Sequence, residues 1–199
     1  MLALLFGFGP FSKYSENPSQ IILERLNGKK INGIEIRSII LPVTYSRVKR
    51  IIKEEITRYK PDLVLGIGLA AGRNKITLEK IAINYEFSKI PDNLGKKGKG
   101  KKIDPKGPDG IFTNIDIENL VKILNSNNIP ADISLSAGSY ICNLAMYFIL
   151  QNTLKSGIKG GFVHIPCHRE LVAKVQDINC PFMELDSMQK AIEIIISYS

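Results

Sequence analysis

Leu63-Val64-Leu65-Gly66-Ile67-Gly68-Leu69-Ala70-Ala71-Gly72-Arg73 is the stretch on which the fold turns. Pro61 stops whatever precedes it, residues 63–67 carry no polar side chain, and a glycine-rich turn follows. A short apolar run between breakers reads as a strand buried on both faces, which requires helices above and below the sheet. Working upstream, 44–59 places Val48, Ile51, Ile52, Ile56 and Tyr59 on one helical face. Before it, 35–41 alternates and stops at Pro42 as a strand does, and a helix runs from Asn17-Pro18 to Leu26, closed by Asn27-Gly28. The chain opens with an apolar strand at 2–6. Downstream, 75–84 alternates as one further strand, and a helix at 116–125 carries Ile117, Leu120, Val121 and Leu124 as its stripe. A strand at 132–135, a helix at 140–154, a strand at 161–165 ending at Pro166, and a terminal helix facing Met188, Ala191, Ile192 and Ile195 inward complete the order. The alternation predicts one α/β domain over 1–199, an α/β/α sandwich around a mostly parallel twisted sheet. Sites in such sheets lie at the carboxyl ends of strands.

Composition narrows the function. A hydrophobic share of 44% and a charged share of 23% are those of a globular protein. No run approaches the roughly 20 apolar residues a membrane-spanning helix needs, so no membrane partner is expected. Residues 1–6 lack a basic leader and soon meet Gly7, Gly9 and Pro10, which suits a buried strand better than a signal peptide. Cys142, Cys167 and Cys180 are an odd and sparse set; they argue against a disulfide framework and for the cytoplasm. Much of the net charge of +8 sits in Lys96-Lys97-Gly98-Lys99-Gly100-Lys101-Lys102, which has no aromatic interleaving and reads as a solvated loop rather than a nucleic-acid site. All of 85–113 is rich in Pro, Gly, Lys and Asp; it is expected to lack regular structure, with 95–102 exposed and mobile.

Three segments place reactive side chains at predicted strand ends. In Ser136-Ala137-Gly138-Ser139-Tyr140-Ile141-Cys142-Asn143 the cysteine falls in the first turn of a helix, where open backbone N–H groups favour thiolate and could hold an oxyanion; the other reading is a buried structural cysteine. In Gly161-Phe162-Val163-His164-Ile165-Pro166 a histidine ends a strand, and thiol chemistry needs such a base; His168, in an apparent loop, is the weaker choice of the two histidines. His164, Cys167 and His168 lack the second spaced ligand pair of a structural zinc site, so no metal is assigned. Glu79 follows the glycine-rich turn, either as an exposed residue of an alternating strand or as the acid that orients the imidazole.

These segments, taken together, carry a resemblance. Gly7-Phe8-Gly9-Pro10-Phe11 with Asn17-Pro18-Ser19, Gly68 to Arg73 through Glu79, Ile90-Pro91-Asp92-Asn93, the Cys142 segment and the His164 segment occur in order from residue 7 to residue 166. They are similar to the motifs of pyroglutamyl peptidase I, the pyrrolidone-carboxylate peptidases. The resemblance implies a cysteine peptidase acting on peptides or amides with an N-terminal pyroglutamate, through a triad of Cys142, His164 and Glu79. It implies a ring slot involving Phe8, Phe11, Asn17 and Lys89, no cofactor, and a cytoplasmic homo-oligomer, tetramer or dimer. The sequence departs from the pattern at Gly9, at Ser12-Lys13 and at Phe87-Ser88-Lys89, where Lys89 stands in place of an arginine. The alternative these departures keep open is an inactive or re-specialised relative that binds a small ligand or peptide N-terminus in the same slot.

Overall fold

A computed structural model describes residues 1–176 and 180–199. The apolar run read first is the central strand of a seven-stranded sheet, and all of its residues are buried. The chain runs β1 (Leu2–Phe8), α1 (Pro18–Leu26), β2 (Lys30–Ile31), β3 (Ile34–Leu41), α2 (Tyr45–Tyr59), β4 (Leu63–Leu69), β5 (Ile76–Glu79) and β6 (Ile81–Ile83). It continues with β7 (Glu86–Phe87), β8 (Lys99–Lys101), β9 (Gly110–Phe112), α3 (Ile117–Ser126), β10 (Ala131–Ser134), α4 (Ile141–Thr153), β11 (Lys159–Ile165), α5 (Arg169–Val175) and α6 (Leu185–Tyr198).

The sheet order is β10-β5-β11-β4-β1-β3-β2. β1 is parallel to both β3 and β4, β4 to β11, and β10 to β5. Two pairings are reversed: β5 runs antiparallel to β11, and β2 to β3. Side-chain alternation divides the core. Ala3 and Leu5 of β1 join Ile22, Leu120 and Ile192 of α1, α3 and α6 on one face. Leu4 and Phe6 join Val48, Ile52, Leu144 and Phe148 of α2 and α4 on the other. Each of the larger buried side chains contributes about 1.5–3 kcal/mol, so both faces are held by the same apolar pattern that made the strands legible.

One expectation changes and two are refined. The alternating 75–84 is not one strand. At Lys80 the N–H goes to the Ser134 carbonyl and the carbonyl accepts from Thr113 N–H, and beyond it β6 leaves the main sheet to pair antiparallel with β9. The physical reason is Asn143 of α4, whose side chain accepts from Ile83 N–H at 2.9 Å and donates to the Ile83 and Tyr85 carbonyls. Residues 85–113 are mostly irregular, as expected, but carry the short strands β7, β8 and β9 and are anchored to the body. The Asp92 carboxylate accepts from the amides of Tyr45, Leu94 and Lys96 at 2.8–3.0 Å. Ser88 Oγ accepts from Gly98 N–H, and β7 pairs with β8. The lysines of 96–102 are exposed as expected while the backbone beneath them is tied to the body, because side-chain-to-backbone bonds leave no periodic trace. Finally, His168 lies in the expected loop, immediately ahead of α5, a helix the periodicity did not reveal. Among the described residues no helix is long and apolar enough to cross a membrane.

Candidate active site

β4, β11 and β5 lie side by side, and their pairing builds the site. Register sets His164 opposite Gly68 on β4 and opposite Thr77 on β5, two residues before Glu79. His164 Nδ1 lies 2.7 Å from Glu79 Oε1, with both side chains buried. A carboxylate only accepts, so Nδ1 carries the proton and Nε2 keeps its lone pair. Glu79 is therefore not the exposed strand residue that alternation allowed, because its strand pairs on both sides.

Cys142 is the second residue of α4, entered through Gly138 at φ 78° and the extended Tyr140. Its sulfur and the imidazole of His164 both lie close to Gly68. A Cβ built on Gly68 would lie 2.9 Å from Cys142 Sγ, 3.2 Å from His164 Cδ2 and 3.1 Å from Phe162 Cζ. Cδ2 adjoins Nε2, so this edge of the ring and the sulfur both border the space over Gly68. Phe162 supports the ring edge-on with centroids 5.1 Å apart. In the first turn of α4 the earliest amide with an acceptor is Leu144, bonded to the Tyr140 carbonyl; those of Ile141, Cys142 and Asn143 have none among the described residues. They form the open, partly positive end of a helix.

Electrostatics define the resting state. Burial pushes the Cys142 thiol up to about 12, helped by the Glu79 charge and opposed by Arg73. The residue as a whole is half-buried and borders a cleft. Burial lowers His164, against the upward pull of Glu79. Glu79 would be raised by burial, yet hydrogen bonds from His164, Ser134 and Arg73 bring it below its ordinary value. The resting pair is thus a thiol beside a neutral imidazole, with the anion held on Glu79.

Beside Cys142 opens a small cleft lined by Phe8, Phe11, Asn17, Val43, Leu69, Tyr140 and Ile141. Phe11 stacks obliquely on Tyr14 and Tyr140. Asn17 caps α1 through its Oδ1 and donates Nδ2 to the Gly9 carbonyl at 3.1 Å, fixing the loop that carries Phe11. The sequence-chosen Phe8, Phe11 and Asn17 thus converge on the cleft and Lys89 does not. Lys89 is exposed because Ser88 is the residue turned inward, donating to the Ile90 carbonyl at 2.8 Å. His168 is buried elsewhere, 2.9 Å from Glu16. Sequence reasoning missed Arg73, which donates to Glu79 Oε1 at 2.7 Å and to the Ser136 carbonyl at 3.2 Å. A cation six residues before the acid was the available signal. Tyr140, Val43 and Leu69 offered none.

A family model described as pyroglutamyl peptidase matches residues 1–198. The chain is 53% identical to a pyrrolidone-carboxylate peptidase of Saccharolobus islandicus over 198 residues, covering 100% of this chain and 94% of that one. It is 42% identical to pyrrolidone-carboxylate peptidase 1 of Caldanaerobacter subterraneus subsp. tengcongensis, covering 98% and 96%. Among solved structures, a mutant pyrrolidone carboxyl peptidase from Pyrococcus furiosus superposes with a TM-score of 0.96 at 33% identity, covering 100% and 97%. That of Thermococcus litoralis does so with 0.95 at 33%, covering 100% and 92%.

Proposed function

The chain belongs to the pyroglutamyl peptidase family of cysteine peptidases, and on that premise we propose that Cys142 is its nucleophile, His164 its general base and Glu79 the acid that orients the base. The observation that carries this reading is that the Cys142 sulfur and the Cδ2 edge of His164 both border Gly68, with Glu79 on the far ring nitrogen. Cys142 Sγ attacks the carbonyl carbon of the pyroglutamyl residue while His164 Nε2 takes the thiol proton. The oxyanion is held by the open amides at the start of α4, where developing charge meets fixed dipoles. His164 then gives its proton to the leaving amine, and the C–N bond breaks to leave a thioester. A water deprotonated by the same imidazole attacks the thioester, releasing pyroglutamate and restoring the thiol.

The slot supports the substrate class. Among the described residues its lining contains no charged side chain, so a neutral lactam fits where a protonated α-amine would be desolvated without a counter-ion. Phe8 and Phe11 form the apolar wall, and Asn17 acts by bracing the loop. We assign one catalytic domain to 1–199, working in the cytoplasm as a tetramer or dimer; the exposed Tyr85, Phe87, Ile90 and Leu94 of one segment are a surface that a second copy would cover. A monomer at micromolar concentration in light scattering would remove that assignment.

The test of the chemistry is turnover of a fluorogenic pyroglutamyl amide. Cys142→Ser and His164→Ala should each lose about 10³-fold or more in kcat/KM, His168→Ala only a few-fold, and the prolyl amide should be a poor substrate. Loss on His168→Ala with activity kept in His164→Ala would reverse the assignment.

A further inference from the structure

We propose that Cys167 and Cys180 form a reversible dithiol–disulfide site, chemically separate from the nucleophile. Counting three cysteines argued against a disulfide; the fold sorts them into a pair and one. The Cys167 and Cys180 sulfurs lie 3.2 Å apart, thirteen positions apart in the chain. That is about 1 Å beyond the covalent S–S length of about 2.05 Å, a gap that small side-chain rotations close.

The backbone, rather than two chance rotamers, holds the pair together. Cys167 forms a parallel bridge with Phe182, and Met183 N–H donates to the Cys167 carbonyl at 2.9 Å. Arg169 pairs with Glu184 and lies over the Phe182 ring, clamping the same two segments from outside. Cys167 is 1% exposed and Cys180 is half-buried, so one sulfur can be reached from solvent and the other waits behind it. Exchange with a small-molecule disulfide follows that order. The Cys180 thiolate attacks one sulfur of the reagent and expels the first small thiol. The Cys167 thiolate then displaces the second from the mixed disulfide. The protein loses two electrons and two protons, and the reagent is reduced to two thiols that carry them.

The site bears on the cleft through packing. Cys167 and Leu171 form a buried cluster with Leu69, a lining residue, and Phe11 packs against that cluster. Cross-linking ties the segment after β11 to the approach to α6 beneath that wall, so oxidation should stabilise the fold while leaving Cys142 a thiol. In a reducing compartment such a pair serves as a redox-responsive clasp rather than a permanent staple.

The experiment treats the full-length Cys142→Ser protein with oxidised glutathione. Titratable thiols should fall from two to none with loss of two hydrogens in mass, and peptide mapping should join Cys167 to Cys180 within one chain. The melting midpoint should rise by on the order of 5–10 °C, as for a loop of this length. Dithiothreitol should reverse the rise, and adding Cys180→Ser should abolish it. The wild-type protein, alkylated after oxidation, should show the same link with Cys142 as the alkylated residue. A stable glutathione adduct, an interchain cross-link or two persistent thiols would overturn the proposal, and a formed link without a rise in midpoint would refute its stabilising role.

Discussion

Replacing Gly68 by alanine should separate nucleophile from base without dismantling the fold. Contacting carbon atoms settle at about 3.5–4.0 Å, whereas the new methyl would stand 2.9 Å from Cys142 Sγ, 3.1 Å from Phe162 Cζ and 3.2 Å from His164 Cδ2. Phe162 and His164 are buried on β11, which is bonded to β4 itself, so neither can withdraw far. The sulfur, at the end of a single rotatable bond on a half-buried residue, is the group that yields. Overpacking of this kind costs about 1–3 kcal/mol, a fall of roughly 2–10 °C in midpoint for a chain of this size. A displacement of about 1 Å between reacting groups costs on the order of 10²-fold in rate. Pyroglutamyl-amide kinetics and thermal unfolding should be measured on Gly68→Ala beside Gly66→Ala, whose methyl would strike the Phe162 ring and Ile149 in the core instead. Gly66→Ala should lose more stability and Gly68→Ala more activity per folded molecule. Equal activity per folded molecule in the two variants would refute the spacing argument.

Arg73→Met removes a cation that lowers both His164 and Glu79. The base must be neutral to act, so the wild-type acid limb of kcat/KM should lie below pH 6.5 and move to higher pH in the variant; an unmoved limb in the pH–rate profile would show that Arg73 does not tune the pair. Phe11→Ala should lower kcat/KM by about 10- to 100-fold through the slot, with a small change in midpoint because the ring is only half-buried; unchanged kinetics would remove Phe11 from the wall. Asp92→Ala strips the acceptor from three amides and should cost about 1–3 kcal/mol by denaturant titration, while serine at Lys97 and Lys99 should leave kcat/KM within about two-fold. A wild-type midpoint in Asp92→Ala would mean that the lysine segment is held some other way.

Local pattern carried most of the architecture. The apolar run at 63–69, the helical stripe of 44–59 and the proline and glycine breaks are interactions of residues with near neighbours, so they were readable without knowing where the chain went next. The positions of Cys142 after a Gly138 turn and of His164 near a strand end were legible for the same reason. What joined them was not. Glu79 and His164 are 85 positions apart, and they meet because β5 enters antiparallel beside β11, a choice made by sheet order and by Asn143 drawing the chain away after Lys80. The space that sulfur and imidazole both border is the missing side chain of Gly68, and an absence has no periodicity. Arg73 on Glu79, Lys89 turned outward by Ser88, and Cys167 beside Cys180 are likewise decided by contacts between distant segments, whose energies arise only once the strands are packed side by side.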